Sequence, residues 1–189
     1  GYTAGDNITT QSGNVLIGKN TGGTGQQLSI LIGNDTGRSI TAGNGTVGIG
    51  HNVFYSLATG EKNTAVGYGA LRLENDGDGS TAFGYQALNV QTGTDGIVGT
   101  TAVGYLAGNA ITSGKFNTLF GYDTDTSSGS ADNEIVIGYG VTGLGDNQTV
   151  IGNSDQTHVV FGGDALISGS AQSTGSFGRV ENASGKFRA

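Results

Sequence analysis

The sequence predicts an all-β fold, a parallel β-solenoid of about eleven coils, and three observations support this prediction. A short apolar phrase ending in glycine recurs along the chain, its recurrences follow a dominant period, and equivalent positions of successive phrases hold similar residues. Self-similarity at a period of about 17 residues is typical of solenoids, in which each coil packs only on its neighbours. The phrases are NVLIG (14–18), SILIG (29–33), TVGIG (46–50), NTAVG (63–67), STAFG (80–84), TTAVG (100–104), NTLFG (117–121), EIVIG (134–138), QTVIG (148–152) and HVVFG (158–162).

The glycine that ends each phrase is called the anchor glycine below. Gly1 is counted as an eleventh anchor because GYTAGDNIT at 1–9 matches GYLAGNAIT at 104–112. The sequence numbers of successive anchors differ by 17, 15, 17, 17, 17, 20, 17, 17, 14 and 10, a regularity that glycine-rich filler would not produce. The gap of 20 predicts an inserted loop around residues 92–99, and the shorter gaps after residue 138 predict a taper.

A column is the set of residues at one position relative to the anchors. The column one residue before the anchor is large and apolar, and the column three before is β-branched. Because alternate residues of a strand share a face, we predict that these two columns form the buried face and that the column between them forms a tighter second face. Small or β-branched residues three after most anchors predict a second, more closely packed strand.

Composition narrows the class of protein. Glycine accounts for 38 of 189 residues without a three-residue period, proline and cysteine are absent, and only 12% of residues are charged, which excludes collagen and argues against a disordered segment. A net charge of −7 disfavours nucleic acid as a partner, and no apolar run is long enough for membrane insertion. The lack of cysteine fits an extracellular or virion-surface location.

Three phrases carry a family resemblance. NTAVGYGAL (63–71), STAFGYQAL (80–88) and TTAVGYLAG (100–108) resemble the head repeats of trimeric autotransporter adhesins and repeats of phage tail fibres and other virion adhesins. The stretch LISGSAQSTGSFGRVEN (166–182) is more similar to the phage-fibre type. The resemblance implies a left-handed β-roll, a side-by-side homotrimer and a role in surface attachment, although the repeat here is longer than those adhesin heads usually have.

The sequence therefore predicts a β-roll repeat domain over residues 1–162 and a C-terminal neck or interwound tail over 163–189. The expected function is that of a structural or adhesive segment of a trimeric tail fibre that attaches to a host surface. A bacterial surface adhesin head and an ice-binding β-solenoid are the alternatives. A cell-surface glycan or another receptor is the expected partner besides the chain itself.

The tyrosines are the candidate binding residues. Six of the seven follow an anchor glycine directly, so stacked coils should align them as an aromatic ladder. One interpretation is a strip on which glycans stack, and the other is a structural stack that seals the roll or the seam between subunits. The candidate glycan-binding residues are Tyr68, Tyr85, Tyr105, Tyr122 and Tyr139, and Tyr2 is the sixth member.

Two further candidate sites, an ice-binding array and a metal site, have less support in the sequence. Thr64, Thr81, Thr101 and Thr118 suggest an ice-binding array, but their column exchanges Thr with Val and Ile, as an inward face does. The acidic segments 74–79 and 123–134 lack calcium-loop patterns and are interpreted as solvated turns, so no metal or cofactor is predicted.

No catalytic residue is predicted. His51 and His158 are assigned to different repeat positions, neither with a nucleophile or carboxylate at a fixed spacing, and no GxSxG, HExxH or P-loop motif occurs. We therefore expect no enzymatic activity.

Overall fold

The chain folds as an all-β parallel solenoid with a repeat of about 17 residues per coil. A computed structural model describes residues 3–6, 12–93 and 96–159, and these contain no helix. Nine three-residue strands form one parallel sheet in chain order. The strands are β1 (Val15–Ile17), β2 (Ile30–Ile32), β3 (Val47–Ile49), β4 (Thr64–Val66), β6 (Thr81–Phe83), β8 (Thr101–Val103), β9 (Thr118–Phe120), β10 (Ile135–Ile137) and β11 (Thr149–Ile151).

The register of the sheet confirms that equivalent residues lie one above another. Thr64 of β4 pairs with Thr81 of β6, and Val66 pairs with Phe83. The same in-register parallel pairing joins every neighbouring pair of the nine strands. Nine strands correspond to about eight turns. The predicted coils at Gly1 and Gly162, and the tail over 163–189, lie outside the described residues.

The insertion predicted near residues 92–99 contributes a strand of its own. Gly96–Ile97 (β7) pairs in parallel with Gly77–Asp78 (β5) as a separate two-stranded sheet. The chain divides into units Gly1–Thr157 and His158–Ala189, and all eleven strands belong to the first unit.

The anchor glycines allow successive coils to approach closely. Gly84 has a φ of +143°, a conformation that L-residues rarely adopt, and a Cβ at this position would overlap the carbonyl oxygen of Gly104 in the next coil. Its N–H donates a 2.8 Å hydrogen bond to the carbonyl of Val66 in the preceding coil. The glycine therefore belongs to the contact between coils as well as to the turn.

The prediction of which strand face is buried was wrong. The middle column is buried in seven of the nine strands, as at Leu31, Ala65 and Ala82, and partly buried in the two terminal ones, whereas the columns one and three before the anchor face outwards. Phe83 is 55% exposed and Ala82 is 0% exposed, although they are adjacent in β6. Alternation shows which residues share a face but not which face is inside, and here the interior is filled by the middle column together with side chains from the turns, such as Phe54.

The second predicted strand is a turn, although its burial was predicted correctly. Val53, Ala70 and Ala87, three residues after their anchors, are fully buried but lie in turns. The next residue is left-handed, with φ of +46° at Leu71 and +51° at Leu88. A left-handed residue ends the extended conformation, so the side of the coil opposite the sheet bends at this point.

In some coils, the size of the middle-column residue complements that of the left-handed position. Where the middle column holds the small Ala65, the left-handed position holds Leu71, and where the middle column holds the large Leu31, that position is Gly37. A Cβ on Gly37 would meet the side chain of Leu31 at 2.6 Å. These coils thus fill their interior with differently distributed sets of side chains.

Buried polar side chains join the coils at the column four before the anchor. Asn63 is fully buried, and its Nδ2 donates to the carbonyl of Gly77 at 2.7 Å while its Oδ1 accepts from the N–H of Ser80 at 2.7 Å. Asn117 repeats both interactions with Ala131 and Glu134. Each asparagine therefore ties a strand to the turn of its own coil and to the coil that follows.

Candidate functional site: an uncharged outer strip edged by stacked aromatic rings

The outward columns of the nine strands form a continuous uncharged surface, called the outer strip below. Each strand contributes its first and third residue, which gives eighteen positions, thirteen of them Val, Ile or Phe and five of them Thr. Eight steps of about 4.8 Å make the strip about 38 Å long. The residues of the outer strip are Val15, Ile17, Ile30, Ile32, Val47, Ile49, Thr64, Val66, Thr81, Phe83, Thr101, Val103, Thr118, Phe120, Ile135, Ile137, Thr149 and Ile151.

A ladder of parallel aromatic rings lies in the turns that border this strip, directly after the anchor glycines. The rings of Tyr105 and Tyr122 have centroids 4.9 Å apart and planes 8° apart. Neighbouring rings in the rest of the ladder are 5.1 to 5.3 Å apart, and the last pair, Tyr122 and Tyr139, is the most tilted at 26°. The predicted alignment of Tyr68, Tyr85, Tyr105, Tyr122 and Tyr139 is thus present, and Tyr2 lies outside the described residues.

The ladder has one member that was not predicted from the sequence. His51 stacks on Tyr68 with a centroid distance of 5.2 Å and an interplanar angle of 5°. It follows the anchor Gly50, so its repeat position was the signal that identifies it, and grouping it with His158 as a possible catalytic residue obscured that signal.

The stacking determines which parts of the tyrosines a ligand can reach. Both faces of the Tyr85, Tyr105 and Tyr122 rings are covered by neighbouring rings, while each side chain remains 42 to 49% exposed through its edge and hydroxyl. A sugar that stacks on an aromatic ring needs a free face. At the end of the ladder, Tyr139 is 69% exposed. Inner tyrosines therefore offer edges and hydroxyls to a ligand, and their ring faces stabilise the stack.

We predict that the inner tyrosines contribute more to stability than the terminal one. Tyr105→Ala removes two ring contacts and should lower the free energy of unfolding by about 2 kcal/mol, whereas Tyr139→Ala removes one tilted contact and should cost about half as much. Urea unfolding followed by far-UV circular dichroism measures both. Equal losses, or a larger loss at Tyr139, would contradict a structural role for the stack.

The threonine column faces solvent, which corrects one premise of the sequence analysis. Thr64, Thr81, Thr101 and Thr118 are partly or fully exposed and pair in register, so the column is not an inward face. The orientation of this column therefore does not count against an ice-binding array. Phe83 and Phe120, in the neighbouring column, are 55% and 58% exposed.

The acidic segment 74–79 is not simply a solvated turn. Glu74 is fully buried, and its Oε1 accepts N–H groups of Asn75, Gly77 and Gly93 at 2.8 to 3.0 Å. Its Oε2 accepts from Nε2 of Gln91 at 2.7 Å. Interpretation as a solvated turn was wrong for this residue, because the carboxylate obtains its hydrogen bonds inside the roll.

Glu134, at the end of the second acidic segment, is also fully buried and accepts the N–H and the hydroxyl of Ser127. Burial raises the pKa of the nearby Asp125 carboxyl, although the N–H groups of Ala110 and Thr126 oppose the shift. Among the described residues, no group of three or more His, Cys, Asp or Glu side chains is arranged to hold a metal ion.

One open cavity of about 340 Å³ lies near the start of the described coils. Of the described residues, Thr3, Asp6, Asn20, Gly22 and Arg38 line it. Asp6 is the one carboxylate in this set, so the lining brings together neither a carboxylate pair nor a nucleophile with a base.

The comparisons with known proteins add no family. No protein-family model, curated protein or solved structure matches this chain. Within the described ranges, no helix is long and apolar enough to cross a membrane. The geometry of the outer strip and the ladder is therefore the basis for a functional proposal.

Proposed function

We propose that this chain is a structural and adhesive segment of a homotrimeric fibre, of the phage tail-fibre type, which mediates attachment to a host surface. The observation that carries the proposal is the outer strip. None of the chain's 15 acidic or 8 basic residues occupies any of its eighteen positions, although the chain carries a net charge of −7.

The exposure of the strip supports association through it. Ile17, Phe83 and Phe120 are each more than half exposed, and the apolar surface continues from coil to coil. A contiguous apolar surface of a few hundred Å² on a single chain is typical of an interaction site. Covering the strip removes apolar area from water, and each Å² removed stabilises the association by about 25 cal/mol.

The partner that fits this strip is another copy of the chain. Each strip is a straight run of matched columns, so copies that align side by side bring the same columns together along their length. Closed cyclic symmetry covers the strip of every copy and leaves none open for further growth. Three narrow strips meeting at one axis, as the family resemblance implies, give the homotrimer.

Attachment would then depend on many weak contacts. Three copies present equivalent surfaces at each coil, and linking such contacts raises the overall affinity without a new contact being made. The exposed edges and hydroxyls of Tyr68, Tyr85, Tyr105, Tyr122 and Tyr139 are the proposed glycan contacts. The same arrangement serves a bacterial adhesin head, which a membrane-anchoring C-terminal segment in the whole protein would distinguish.

The test is the mass of the full chain in solution, measured by light scattering at several concentrations. We expect three times the chain mass for the wild type, and one chain mass for Ile49→Lys/Phe83→Lys, which places two charges on the outer strip. The control is Thr41→Lys/Thr59→Lys, which adds the same charge at exposed positions elsewhere on the coil and should remain trimeric. A wild type that is monomeric at all concentrations, or a control that dissociates equally, would contradict the proposal.

An ice-binding solenoid is the second candidate function. The observation that favours it is the outward threonine column, in which Thr64, Thr81, Thr101 and Thr118 occupy four successive strands of the sheet. Phe83 and Phe120 make the adjoining column uneven, which disfavours a flat match to ice. Thermal hysteresis of the wild type that is lost in Thr81→Lys/Thr101→Lys would support ice binding, and no hysteresis would exclude it.

A further inference from the structure

A second stacked column, on another part of the coil, combines two arginines with a tyrosine. Arg38, Tyr55 and Arg72 each lie five residues after an anchor glycine in three successive coils. The guanidinium carbons of Arg38 and Arg72 are 5.7 and 5.6 Å from the centroid of the Tyr55 ring, one from the coil before and one from the coil after. Nη1 of Arg38 also donates to the hydroxyl of Tyr55 at 3.2 Å.

The charge of this column is poorly neutralised. Nη1 of Arg38 is 4.0 Å from Oδ1 of Asp35, and the Arg38 side chain is 54% exposed, so this ion pair is weak. Among the described residues, Arg72 has no ion pair. The described part of the chain contains five lysines and arginines, and two of them stand in this one column of an otherwise acidic chain.

Cation–π contact with the Tyr55 ring also restricts the positions of the two guanidinium groups. The guanidinium is planar, and its N–H groups can bind a carboxylate or sulfate through two hydrogen bonds. Part of the entropy cost of fixing a long side chain is then met before a ligand arrives.

We propose that Arg38, Tyr55 and Arg72 form a binding site for an acidic polysaccharide, in which each guanidinium pairs with a carboxylate or sulfate group of the chain. The proposal rests on the proposed attachment function and names the class of surface ligand. The two arginines are two coil steps apart, about 10 Å along the roll. A polysaccharide with one acidic group on every second sugar has charges at a spacing of this order.

The surroundings favour a polysaccharide over a nucleic acid. The hydroxyl of Ser39 lies in the same region, where it donates to the carbonyl of Tyr55 at 2.7 Å, and polar groups of this kind suit sugar hydroxyls. A nucleic acid strand carries a charge about every 3.4 Å, which two cations on a chain of net charge −7 cannot match. The column is separate from the outer strip, so association through that strip leaves it accessible.

The test is isothermal titration of the full chain with hexasaccharides of hyaluronan and of chondroitin sulfate, with a neutral dextran oligosaccharide and a single-stranded DNA oligonucleotide as comparators. Arg38→Gln/Arg72→Gln should weaken binding of the acidic oligosaccharides about tenfold or more. Lys62→Gln/Lys115→Gln makes the same change in net charge at lysines outside the column, and it should change the affinity by less than about twofold. Circular dichroism verifies that all variants are folded.

Several outcomes would overturn the inference. Equal weakening in both double variants would mean that net charge alone is responsible, and equal affinity for dextran would mean that the acidic groups are not recognised. Tighter binding of single-stranded DNA with the same dependence on Arg38 and Arg72 would assign the site to nucleic acid. Failure of a folded trimer to bind any acidic oligosaccharide would reject this site and leave the trimer intact, whereas a monomer that binds would reject the trimer and leave the site.

Discussion

Replacing Gly84 by alanine should lower the free energy of unfolding by about 4 kcal/mol, because two costs add at this anchor. The new Cβ would overlap the carbonyl oxygen of Gly104, which is backbone of the next coil and has no side-chain freedom with which to move aside. The φ of +143° adds strain that glycine does not have. Urea unfolding followed by far-UV circular dichroism measures the loss.

The matched control is Gly79→Ala, five residues earlier in the chain. Gly79 also has a positive φ, +71°, but nothing lies within 4 Å of a Cβ added there. This variant carries the backbone strain without the overlap and should cost about 1 kcal/mol. If the two variants lost equal stability, the close approach of coils at the anchor would not be what requires glycine.

Aspartate at Ala65 and aspartate at Val66 should have opposite outcomes although the two residues are adjacent in β4. Ala65 is fully buried in the narrow interior, where Ala65→Asp places a charge without a partner, and we expect a loss of at least about 3 kcal/mol. Val66 faces outwards, so Val66→Asp should leave the coil folded, with a loss of at most about 1 kcal/mol when both are compared as monomers.

Thermal unfolding of the two variants, with sedimentation to establish the mass, distinguishes these expectations. A tolerated Ala65→Asp beside an unfolded Val66→Asp would mean that the strand presents its other face to the interior. The first result is incompatible with the packing described above. If both variants were unfolded, a single roll would depend on association through the outer strip for its stability, which is incompatible with a roll that folds alone.

The positions of the strands could be predicted from the sequence, but their orientation could not. The anchors placed all nine strands of the sheet, because in-register stacking demands similar residues at Thr64, Thr81 and Thr101. The columns one and three before the anchor were predicted to be the core because their residues are apolar or β-branched. The core is instead completed by side chains from the turns, such as Phe54 and Leu71, which pack against the middle column.

The candidate site, too, could be predicted only in part from the sequence. The tyrosine ladder could be predicted because its members recur at one repeat position, whereas the column of Arg38, Tyr55 and Arg72 mixes residue types that no simple repeat joins. The burial of Glu74 could not be predicted either. It depends on N–H groups of Gly77 and Gly93 that come within reach only when the coils have stacked.

Because each strand of the large sheet pairs only with the strands of adjacent coils, duplication or loss of a whole coil leaves every other cross-section unchanged. The length of the roll can therefore be altered in increments of about 4.8 Å. Gain or loss of one coil provides each increment, with no need to redesign the packing.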